Sequence, residues 1–518
     1  MSALKPATSN KRPTIGRQHV AFGRPLRYRG SMRQQPLLIL GTGSNAGKTT
    51  LVAGLCRLFA NRGFKVAPFK SQNMSLNSVV VDDGREIARS IDVQAKAAKQ
   101  PANVHMNPIL LKPKSETVSQ LIIHGKAVRD VSAEEYFKAD LYTPAKIGAI
   151  RESLEYLREH YDLIIAEGAG SCAEPNLREK DVVNFGLAEL LGPKAFIVGD
   201  IEKGGVFADF LGSVEVIRRT RSSDLRFVEG FIINKFRGDE TLLKPAIEFL
   251  EAETRIKVAA TVPYLPEIRF HEEDRVRERI AENPEIEIAV IYLPHISNAT
   301  DLDYFGDEPG VTVRYVANPQ ALGAPDAIII PGTKNTTWDL SHMRRIGLEE
   351  CIRRHSNTIP VVGICGGYQM LGRYLHDPEK SESDVGSVTG LNLLDFEVRF
   401  EQQKTVRNRT YLPSPTNPFR SLGEITGYEI HSGTVFNRKC APMFANGQTE
   451  EGAIDSTRLI FGTSIHDLFK NRNYTRAFVN LLRSRKSLPP LTTDLANGSG
   501  TEDHYDLLAS VLEQRLRL

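Results

Sequence analysis

Two short stretches of this 518-residue sequence carry the residue types that catalysis needs. The first is GTGSNAGKTT (41–50), a glycine-rich loop that ends in Gly47, Lys48 and Thr49. Such loops close their backbone amides on phosphate groups, and a helix that begins at the lysine adds positive potential. Lys48 can reach the β- and γ-phosphates, and the Thr49 hydroxyl can ligate Mg²⁺. The stretch predicts a nucleotide site, against the alternative of an ordinary strand-to-helix turn.

The glycine spacing of this loop departs from the usual phosphate-loop motif. The usual spacing puts a glycine at position 42, where this sequence has Thr42, and the glycine is instead Gly41. The residues expected to contact ATP phosphates are, in chain order, Gly41, Thr42, Asn45, Ala46, Gly47, Lys48 and Thr49.

The second stretch is GICGG (363–367), which has the small-x-nucleophile-x-small form of a nucleophile elbow. A sharp strand-to-helix turn would present Cys365, and the helix N-terminus would lower the pKa of its thiol. The backbone amides of Gly366 and of Gly332, in the PGTKNT turn, are candidates for an oxyanion hole. The alternative is a buried structural cysteine.

A cysteine nucleophile needs a base, and twelve histidines compete for that role. His466 follows a short apolar run in FGTSIHDLF (461–469), and His431 in GYEIHSG is its rival. On the residues alone, His466 is no better supported as a base than as a packed core histidine.

The elements that must position these residues follow a strand–loop–helix pattern. FKVAPFK would place Lys70 at the end of a second strand, on the ligand side of a parallel sheet. YDLIIAEGAG (161–170) runs a buried strand into Glu167, where an acid can hold Mg²⁺. Asp83, in a polar loop that suits substrate binding, is a further candidate metal ligand, although adjacent acids before a glycine are also turn chemistry. Asn234 ends another strand and could read a nucleobase edge.

Strands that alternate with helical stretches predict a mostly parallel, doubly wound sheet for residues 35–270. A charge-rich boundary at 270–286 precedes a second series of strands. The predicted fold class is therefore α/β with two doubly wound domains, at 35–275 and 286–485. A tail with a short helix follows at 486–518.

The composition is that of an ordinary soluble globular protein, with 41% apolar and 25% charged residues and no apolar run long enough to span a bilayer. Five scattered cysteines without metal-type spacing indicate free thiols in a reducing cytoplasm. The net charge is +3, but residues 1–34 hold eight Lys and Arg and no acid, which leaves −5 for the rest. We expect that basic head to be a disordered extension or the product of an upstream start before Met32, against the alternatives of a basic arm for an acidic partner or a transit-like segment. The body shows no pattern for nucleic-acid binding.

Ten segments, in order from about residue 37 to 470, together resemble the cobyric acid synthase family, the glutamine-dependent amidases of cobalamin biosynthesis. KSQNMSLNS (70–78) is a particularly specific match. The segments are GTGSNAGKTT, KSQNMSLNS, HMNPILLKP, AEGAGSCAEPNL, VGDIEKGGVFA, FIINKFRGD, LPHISNATDLD, PGTKNT, GICGGYQMLG and GYEIHSGT.

The resemblance implies an N-terminal P-loop ATPase domain like that of dethiobiotin synthetase, whose phosphate loop shares the Gly41-to-Gly47 spacing. It also implies a class I glutaminase domain with a flavodoxin-like fold, in which Cys365 is the nucleophile and His466 its partner. Most class I glutaminases carry a glutamate two residues after this histidine, where this chain has Leu468, and the resembled family also lacks it. The orientation of His466 is left to another group, such as a backbone carbonyl.

The implied activity is ATP- and glutamine-dependent amidation of the b, d, e and g propionates of adenosylcobyrinic acid a,c-diamide, with Mg²⁺ as the metal. Glutamine and an adenosyl-corrinoid are the implied substrates, and no nucleic acid or membrane partner is expected. A related amidase of cobyrinic acid itself would lack the KSQNMSLNS segment. A partition-type switch ATPase would carry an extra lysine five residues before Lys48, where this chain has Gly43. No particular oligomeric state is predicted.

Overall fold

The protein is described here from a computed structural model. The residues that the structure describes are 34–137, 139–266, 268, 278–447, 449–492 and 501–516. The predicted basic extension, apart from its last residue, lies outside them, as does the first part of the predicted boundary, 270–277 of 270–286.

The first half of the chain folds around a six-stranded parallel sheet. In spatial order its strands are Lys257–Pro263, Val228–Phe236, Lys194–Asp200, Leu37–Gly41, Leu163–Glu167 and Val66–Phe69. Alternate residues of the central strand enter two different cores, with Leu38 and Leu40 in one and Leu37 and Ile39 in the other. Burial on both faces explains why these strands are continuous apolar runs.

Helices cover the two faces of this sheet, and two smaller, separate sheets accompany it. The helices are Lys48–Asn61, Arg89–Ala97, Ala133–Phe137, Ala139–His160, Phe185–Leu191, Val206–Arg221 and Lys244–Thr254. The smaller sheets comprise Gln72–Met74, Ile109–Pro113, Val118–Ile123 and Lys126–Ser132, and the hairpin of Ser78–Val80 and Glu86–Ala88.

The second half is built around another six-stranded sheet with an antiparallel edge. Its strands in spatial order are Val311–Val316, Ile286–Ile291, Ala327–Ile330, Val361–Ile364, Ile460–Thr463 and Ala453–Asp455, and all but the last pairing are parallel. The accompanying helices are Thr336–Arg345, Leu348–His355, Gly366–Met370 and Arg472–Arg485. Two doubly wound α/β domains confirm the predicted fold class.

A long hairpin of the second domain, formed by Glu397–Pro413 and Ile425–Phe436, packs against the first domain. It belongs to a mostly antiparallel sheet with Val388–Thr389, Tyr374–His376, Ile465–His466, Phe444–Asn446 and Thr449–Glu451. Tyr428 and Ile430 from this hairpin pack into the core of the first domain. The second domain is therefore docked on the first through buried apolar surface.

The last helix, Thr501–Arg515, returns to the first domain and packs against the helix that follows the phosphate loop. Its buried residues Tyr505, Leu508 and Leu512 share a core with Leu51 and Leu55. The remaining short turns are 3-10 helices at Val104–Met106, Arg178–Lys180, Ile201–Lys203, Ser222–Phe227, Glu240–Leu243, Ala299–Asp307, Pro319–Ala321 and Leu468–Lys470. Among the described residues, no helix combines the length and apolarity needed to cross a membrane.

Candidate active sites

Cys365 lies at a strained elbow between strand Val361–Ile364 and helix Gly366–Met370. Its backbone has φ 48° and ψ −109°, a conformation that L-residues adopt only under constraint. A Cβ on Gly363 would lie 2.6 Å from the Tyr368 Cα, and one on Gly367 would lie 2.0 Å from the Ile330 carbonyl oxygen. The flanking glycines are therefore required by close backbone packing, as the elbow motif predicts.

His466 is held beside this thiol by a buried carboxylate. The His466 Nδ1 donates to the Oδ2 of Asp301 at 2.7 Å, and both side chains are almost wholly buried. The Asn298 Nδ2 lies 3.3 Å from the other ring nitrogen, Nε2. The suggestion of a backbone carbonyl as the orienting group is wrong, because Asp301 takes that position from the 3-10 helix Ala299–Asp307, far away in the sequence.

The charges around this pair favour a thiolate and an imidazolium. Burial alone would raise the pKa of Cys365, but His466, through charge and a hydrogen bond, and His431 lower it below its ordinary value. Burial also disfavours a charged His466, but Asp301 and the Cys365 thiolate outweigh it and raise the pKa of His466 to about 10. The arrangement can therefore supply a nucleophile and a proton donor near neutral pH.

His431, the rival base, lines the same pocket but is occupied elsewhere. Its Nδ1 lies 2.8 Å from the Gly433 carbonyl oxygen, and its Nε2 lies 3.3 Å from the Glu429 carboxylate. Its placement supports an electrostatic effect on the thiol, whose Sγ lies 3.6 Å from the Ile430 carbonyl oxygen. His466, oriented by Asp301, stays the predicted partner of Cys365.

The two glycines predicted for an oxyanion hole lie close to this pair and in neighbouring turns. A Cβ on Gly332 would lie 3.2 Å from the His466 Cε1, and one on Gly366 would lie 2.6 Å from the Thr333 Cγ2. The PGTKNT turn and the elbow are thus in contact. Donation by their amides to an oxyanion stays a prediction.

The residues of the thiol site come together because they follow the carboxyl ends of neighbouring parallel strands. Four neighbouring parallel strands each end at the same edge, and the loop after each one supplies a part. In spatial order these parts are Asn298 and Asp301, Gly332, Cys365, and His466.

The first parallel sheet gathers the phosphate site in the same way. The Lys48 Nζ donates to the carbonyls of Gly43 (2.9 Å) and Gly170 (3.0 Å), folding back over the loop. A Cβ on Gly41 would lie 2.8 Å from that Nζ and 3.0 Å from the Gly43 carbonyl oxygen, so a larger residue there would displace the lysine or the loop. Gly47 has φ 93° and is the N-cap of the helix that begins at Lys48. A glycine at position 41 thus leaves room for the path of the Lys48 side chain.

Glu167 lies at the centre of the phosphate site, at the end of strand Leu163–Glu167. Its Oε1 accepts from the Thr49 hydroxyl (2.9 Å) and the Lys70 Nζ (3.0 Å), and its Oε2 accepts from the Gln94 Nε2 (2.6 Å). A cavity of about 390 Å³ beside these groups is lined by Asn45, Gly47, Lys48, Thr49, Lys70 and Glu167, among others. Buried carboxylate and hydroxyl oxygens are the ligands that Mg²⁺ prefers.

The other predicted loop residues lie where the loop meets its neighbours. Thr42 donates its amide to the Val198 carbonyl (2.9 Å), and Asn45 adopts φ 61°. The Asn234 Nδ2 donates to the carbonyl of Ala46 at 2.8 Å. Asn234 thus braces the phosphate loop from behind, and its reading of a nucleobase edge stays a prediction.

Asp83 does not join this site. It lies in the turn between strands Ser78–Val80 and Glu86–Ala88, where its carboxylate accepts from the Arg85 guanidinium. The pKa of Asp83 is lowered by the hydrogen bond from Arg85. It lines a different cavity from Glu167, so the prediction of a metal ligand at Asp83 is wrong and the turn interpretation holds.

Sequence reasoning gave no role to several residues that the structure places at the two sites: Asp301, Asn298, Gln94, Arg89 and Lys112. Asp301 and Asn298 were within reach of inference, because LPHISNATDLD follows the strand Ile286–Ile291 at the carboxyl edge of the sheet. Gln94 and Arg89 lie on a helix that carries no motif, so only the fold reveals them.

These sites, each at the edge of its own doubly wound sheet, define a class: a thiol-dependent glutamine amidotransferase joined to a nucleotide-binding P-loop domain. The family model for the CobQ/CobB/MinD/ParA nucleotide binding domain matches residues 37–276. The model for the CobB/CobQ-like glutamine amidotransferase domain matches residues 287–474.

Two curated relatives are cobyric acid synthases that match nearly end to end. Those of Thermoanaerobacter sp. (strain X514) and Desulforamulus reducens are each 42% identical, over 497 and 499 residues, and the alignments cover 93% of this chain and 96% of each relative. A solved glutamine amidotransferase structure aligns with 39% of this chain and 99% of its own, at 15% identity and a TM-score of 0.30. The chain belongs to the cobyric acid synthase family. It is an enzyme, a glutamine-dependent amidotransferase of cobalamin biosynthesis, which confirms the resemblance.

Proposed function

We propose that this enzyme uses ATP and glutamine to amidate the b, d, e and g propionates of adenosylcobyrinic acid a,c-diamide. The observation that carries the proposal is the presence in one chain of a Cys365–His466–Asp301 relay and a phosphate loop with Lys48 and Glu167. The first can release ammonia from an amide, and the second can activate a carboxylate.

In the glutaminase half, taken as residues 286–485, the Cys365 thiolate attacks the side-chain carbonyl carbon of glutamine. The amides of Gly332 and Gly366 stabilise the oxyanion that forms. The His466 imidazolium gives its proton to the departing ammonia, and Asp301 stabilises its charge. Water then cleaves the thioester, which returns the thiolate and releases glutamate.

In the ATPase half, taken as residues 35–275, Lys48 neutralises charge on the phosphates while the γ-phosphoryl group passes to a propionate carboxylate. Ammonia displaces phosphate from the resulting acyl phosphate and leaves an amide. Thr49 and Glu167 fit a hard cation, because a half-buried hydroxyl and a buried carboxylate present their oxygens beside the loop. Mg²⁺ bound there would offset the charge of the transferring phosphoryl group. The five free thiols fit a reducing cytoplasm as the place of work.

The experiment separates the two halves by nitrogen source. Cys365→Ala should lose glutamine-driven amidation yet retain ammonia-driven amidation at high pH, since free NH₃ bypasses the thiol. Lys48→Ala should lose both by about 10²-fold or more, because no nitrogen source replaces carboxylate activation. Product is measured as amidated corrinoid by mass spectrometry.

Three outcomes would count against this function. Cys365→Ala that still uses glutamine, or Lys48→Ala that amidates with ammonia, would contradict the division into two sites. A wild-type enzyme that hydrolyses ATP but amidates no corrinoid with either nitrogen source would favour a switch ATPase. Amidation of cobyrinic acid in place of its a,c-diamide would favour the a,c-diamide synthase type.

A further inference from the structure

One helix, Arg89–Ala97, contacts both candidate active sites. At its start, the Arg89 Nη2 donates to the Asp467 Oδ1 (2.6 Å) and to the Tyr428 hydroxyl (2.9 Å), both in the second domain. Further along, the Gln94 Nε2 donates to the Glu167 Oε2 (2.6 Å) in the phosphate site. Arg89 and Gln94 are both buried, so solvent does not weaken either contact.

At the thiol end, the partners of Arg89 are the residues that orient the catalytic imidazole. The backbone amide of Asp467 donates to the Asp301 Oδ1 (2.9 Å), while His466 donates to the other oxygen of the same carboxylate. The Tyr428 ring stacks on the His466 ring, with centroids 5.2 Å apart and 22° between planes. A displacement of Arg89 would therefore move both supports of His466.

At the phosphate end, the side-chain amide of Gln94 uses its nitrogen but not its oxygen in hydrogen bonds. Its Oε1 is buried and, within the part of the chain that the structure describes, accepts no hydrogen bond. The same amide is tied through Nε2 to Glu167, which also accepts from Thr49. Glu167 lines the cavity beside the phosphate loop, so a nucleotide with its metal ion would compete with Gln94 for that carboxylate, and the competition acts on this helix.

A second link runs beside the first. The Ser78 amide, in the KSQNMSLNS segment of the first domain, donates to the Asn298 Oδ1 at 2.8 Å. The Nδ2 of the same Asn298 side chain lies 3.3 Å from the His466 Nε2. The first domain therefore contacts both sides of the imidazole, through single intermediates.

We propose that helix Arg89–Ala97 couples the two sites, so that nucleotide at the phosphate loop sets the position of His466, with Arg89 as the positioning residue. The inference rests on the proposed function, which identifies the two ligands as ATP at the phosphate loop and glutamine at the thiol. A nine-residue helix is about 13 Å long and can shift as one unit, which gives the two sites a direct connection. Glutamine is then hydrolysed fast only when the phosphate site is filled.

The test is glutamate release by the full-length enzyme, with and without a non-hydrolysable ATP analogue and Mg²⁺. The analogue should raise kcat/KM for glutamine at least about tenfold in the wild type and less than about twofold in Arg89→Gln. Arg89→Lys, which keeps the charge, should restore part of the stimulation. Lys99→Gln, at an exposed position just beyond the same helix, is the matched control and should keep all of it, because Lys99 bonds Asn61 and touches neither Asp467 nor Glu167.

Ammonia-driven amidation by Arg89→Gln should stay within about threefold of wild type, since the variant leaves every phosphate-site side chain in place. Glutamine hydrolysis that ignores the analogue in the wild type, or full stimulation in Arg89→Gln, would overturn the coupling and leave the amidation reaction standing. Loss of wild-type amidation with both nitrogen sources would overturn the proposed function instead. If Arg89→Gln does not fold, Tyr428→Phe keeps the stacked ring and removes one bond to Arg89; undiminished stimulation there would also overturn the coupling.

Binding measurements give a readout that needs no turnover. Coupling of two ligands is reciprocal, so glutamine bound to Cys365→Ala should tighten the analogue by the factor by which the analogue tightens glutamine. Calorimetry on Cys365→Ala and on the double variant with Arg89→Gln measures both. Equal glutamine effects in the two proteins would contradict the role of Arg89.

Discussion

The two candidate sites are built by the same sheet geometry but differ in how open they are. A cavity of about 390 Å³ lies beside the phosphate loop, whereas the void beside Cys365 is about 30 Å³. The smaller void has room for one or two water molecules, far less than a glutamine molecule needs. As described, the first site can receive a ligand and the second must open.

The thiol pocket is closed because it is shared between domains. Lys112 of the first domain lines it together with Lys334 and Lys404 of the second. The Glu86 carboxylate accepts from the Lys112 Nζ (2.5 Å) and the Lys404 Nζ (2.6 Å), which ties the domains at the pocket wall. Burial lowers the pKa of both Lys112 and Lys334 to about 8. The phosphate site is complete within one domain, but access to the thiol depends on both.

The largest effect that separates the sites is expected for Asp301→Asn. Glutamine-driven amidation should fall by about 10³-fold, because an amide neither stabilises the imidazolium nor fixes its orientation. Ammonia-driven amidation should be unchanged. Asp307→Asn, an exposed acid at the end of the same turn, is the control and should behave as wild type in both assays.

For Glu167→Gln we expect the opposite pattern. Amidation should fall by about 10²-fold or more with either glutamine or ammonia. The variant removes one negative charge from the metal ligands, and that charge matters more in the transition state of phosphoryl transfer than in the ground state. Nucleotide binding, followed by calorimetry, should persist, and glutamine hydrolysis without nucleotide should be unaffected. Normal amidation with ammonia in this variant would show that Glu167 has no role in phosphoryl transfer.

The pH dependence of glutamine hydrolysis sharpens the comparison further. Since the His466 pKa is raised to about 10 and the Cys365 pKa is lowered, kcat/KM should be level through neutral pH and fall only near pH 10, as the imidazolium loses its proton. Asp301→Asn removes the charge that raises the histidine pKa, so the upper limb should move to lower pH. Ammonia-driven amidation should instead rise with pH as free NH₃ increases. An upper limb that stays in place in Asp301→Asn would contradict the assigned ion pair.

The centres of both sites could be predicted from sequence because their signals are local. A glycine-rich turn between a strand and a helix identifies Lys48, and a strained elbow flanked by glycines identifies Cys365. Asp301 lies 165 residues from its histidine, and that pairing follows only from strand order in the sheet. Asp83 shows the reverse error, since two acids before a glycine resemble metal ligands but serve a hairpin turn.

The same reasoning applies to the C-terminal helix, whose partner a sequence cannot reveal. A Cβ on Gly54, in the helix after the phosphate loop, would lie 2.5 Å from the Leu508 Cγ, so the two helices pack at close range. The hydrogen bond from Asn61 to Asp506 (3.0 Å) and the salt bridge between Arg62 and Glu513 (3.2 Å) flank this contact. The phosphate site is therefore supported from behind by the far end of the chain.

Leu508→Ala should have the smallest effect on activity. Removing a fully buried leucine costs about 2–5 kcal/mol of unfolding free energy, so the thermal unfolding transition should move down. Leu507→Ala, at the neighbouring exposed position, should change stability by less than about 0.5 kcal/mol and serves as the control. Below the transition, the ratio of glutamine-driven to ammonia-driven amidation should match wild type in both variants, because the lost contact lies behind the phosphate loop and touches neither reacting centre. A changed ratio in Leu508→Ala alone would show that this helix influences ammonia use, and so that the sites depend on each other beyond the shared wall of the thiol pocket.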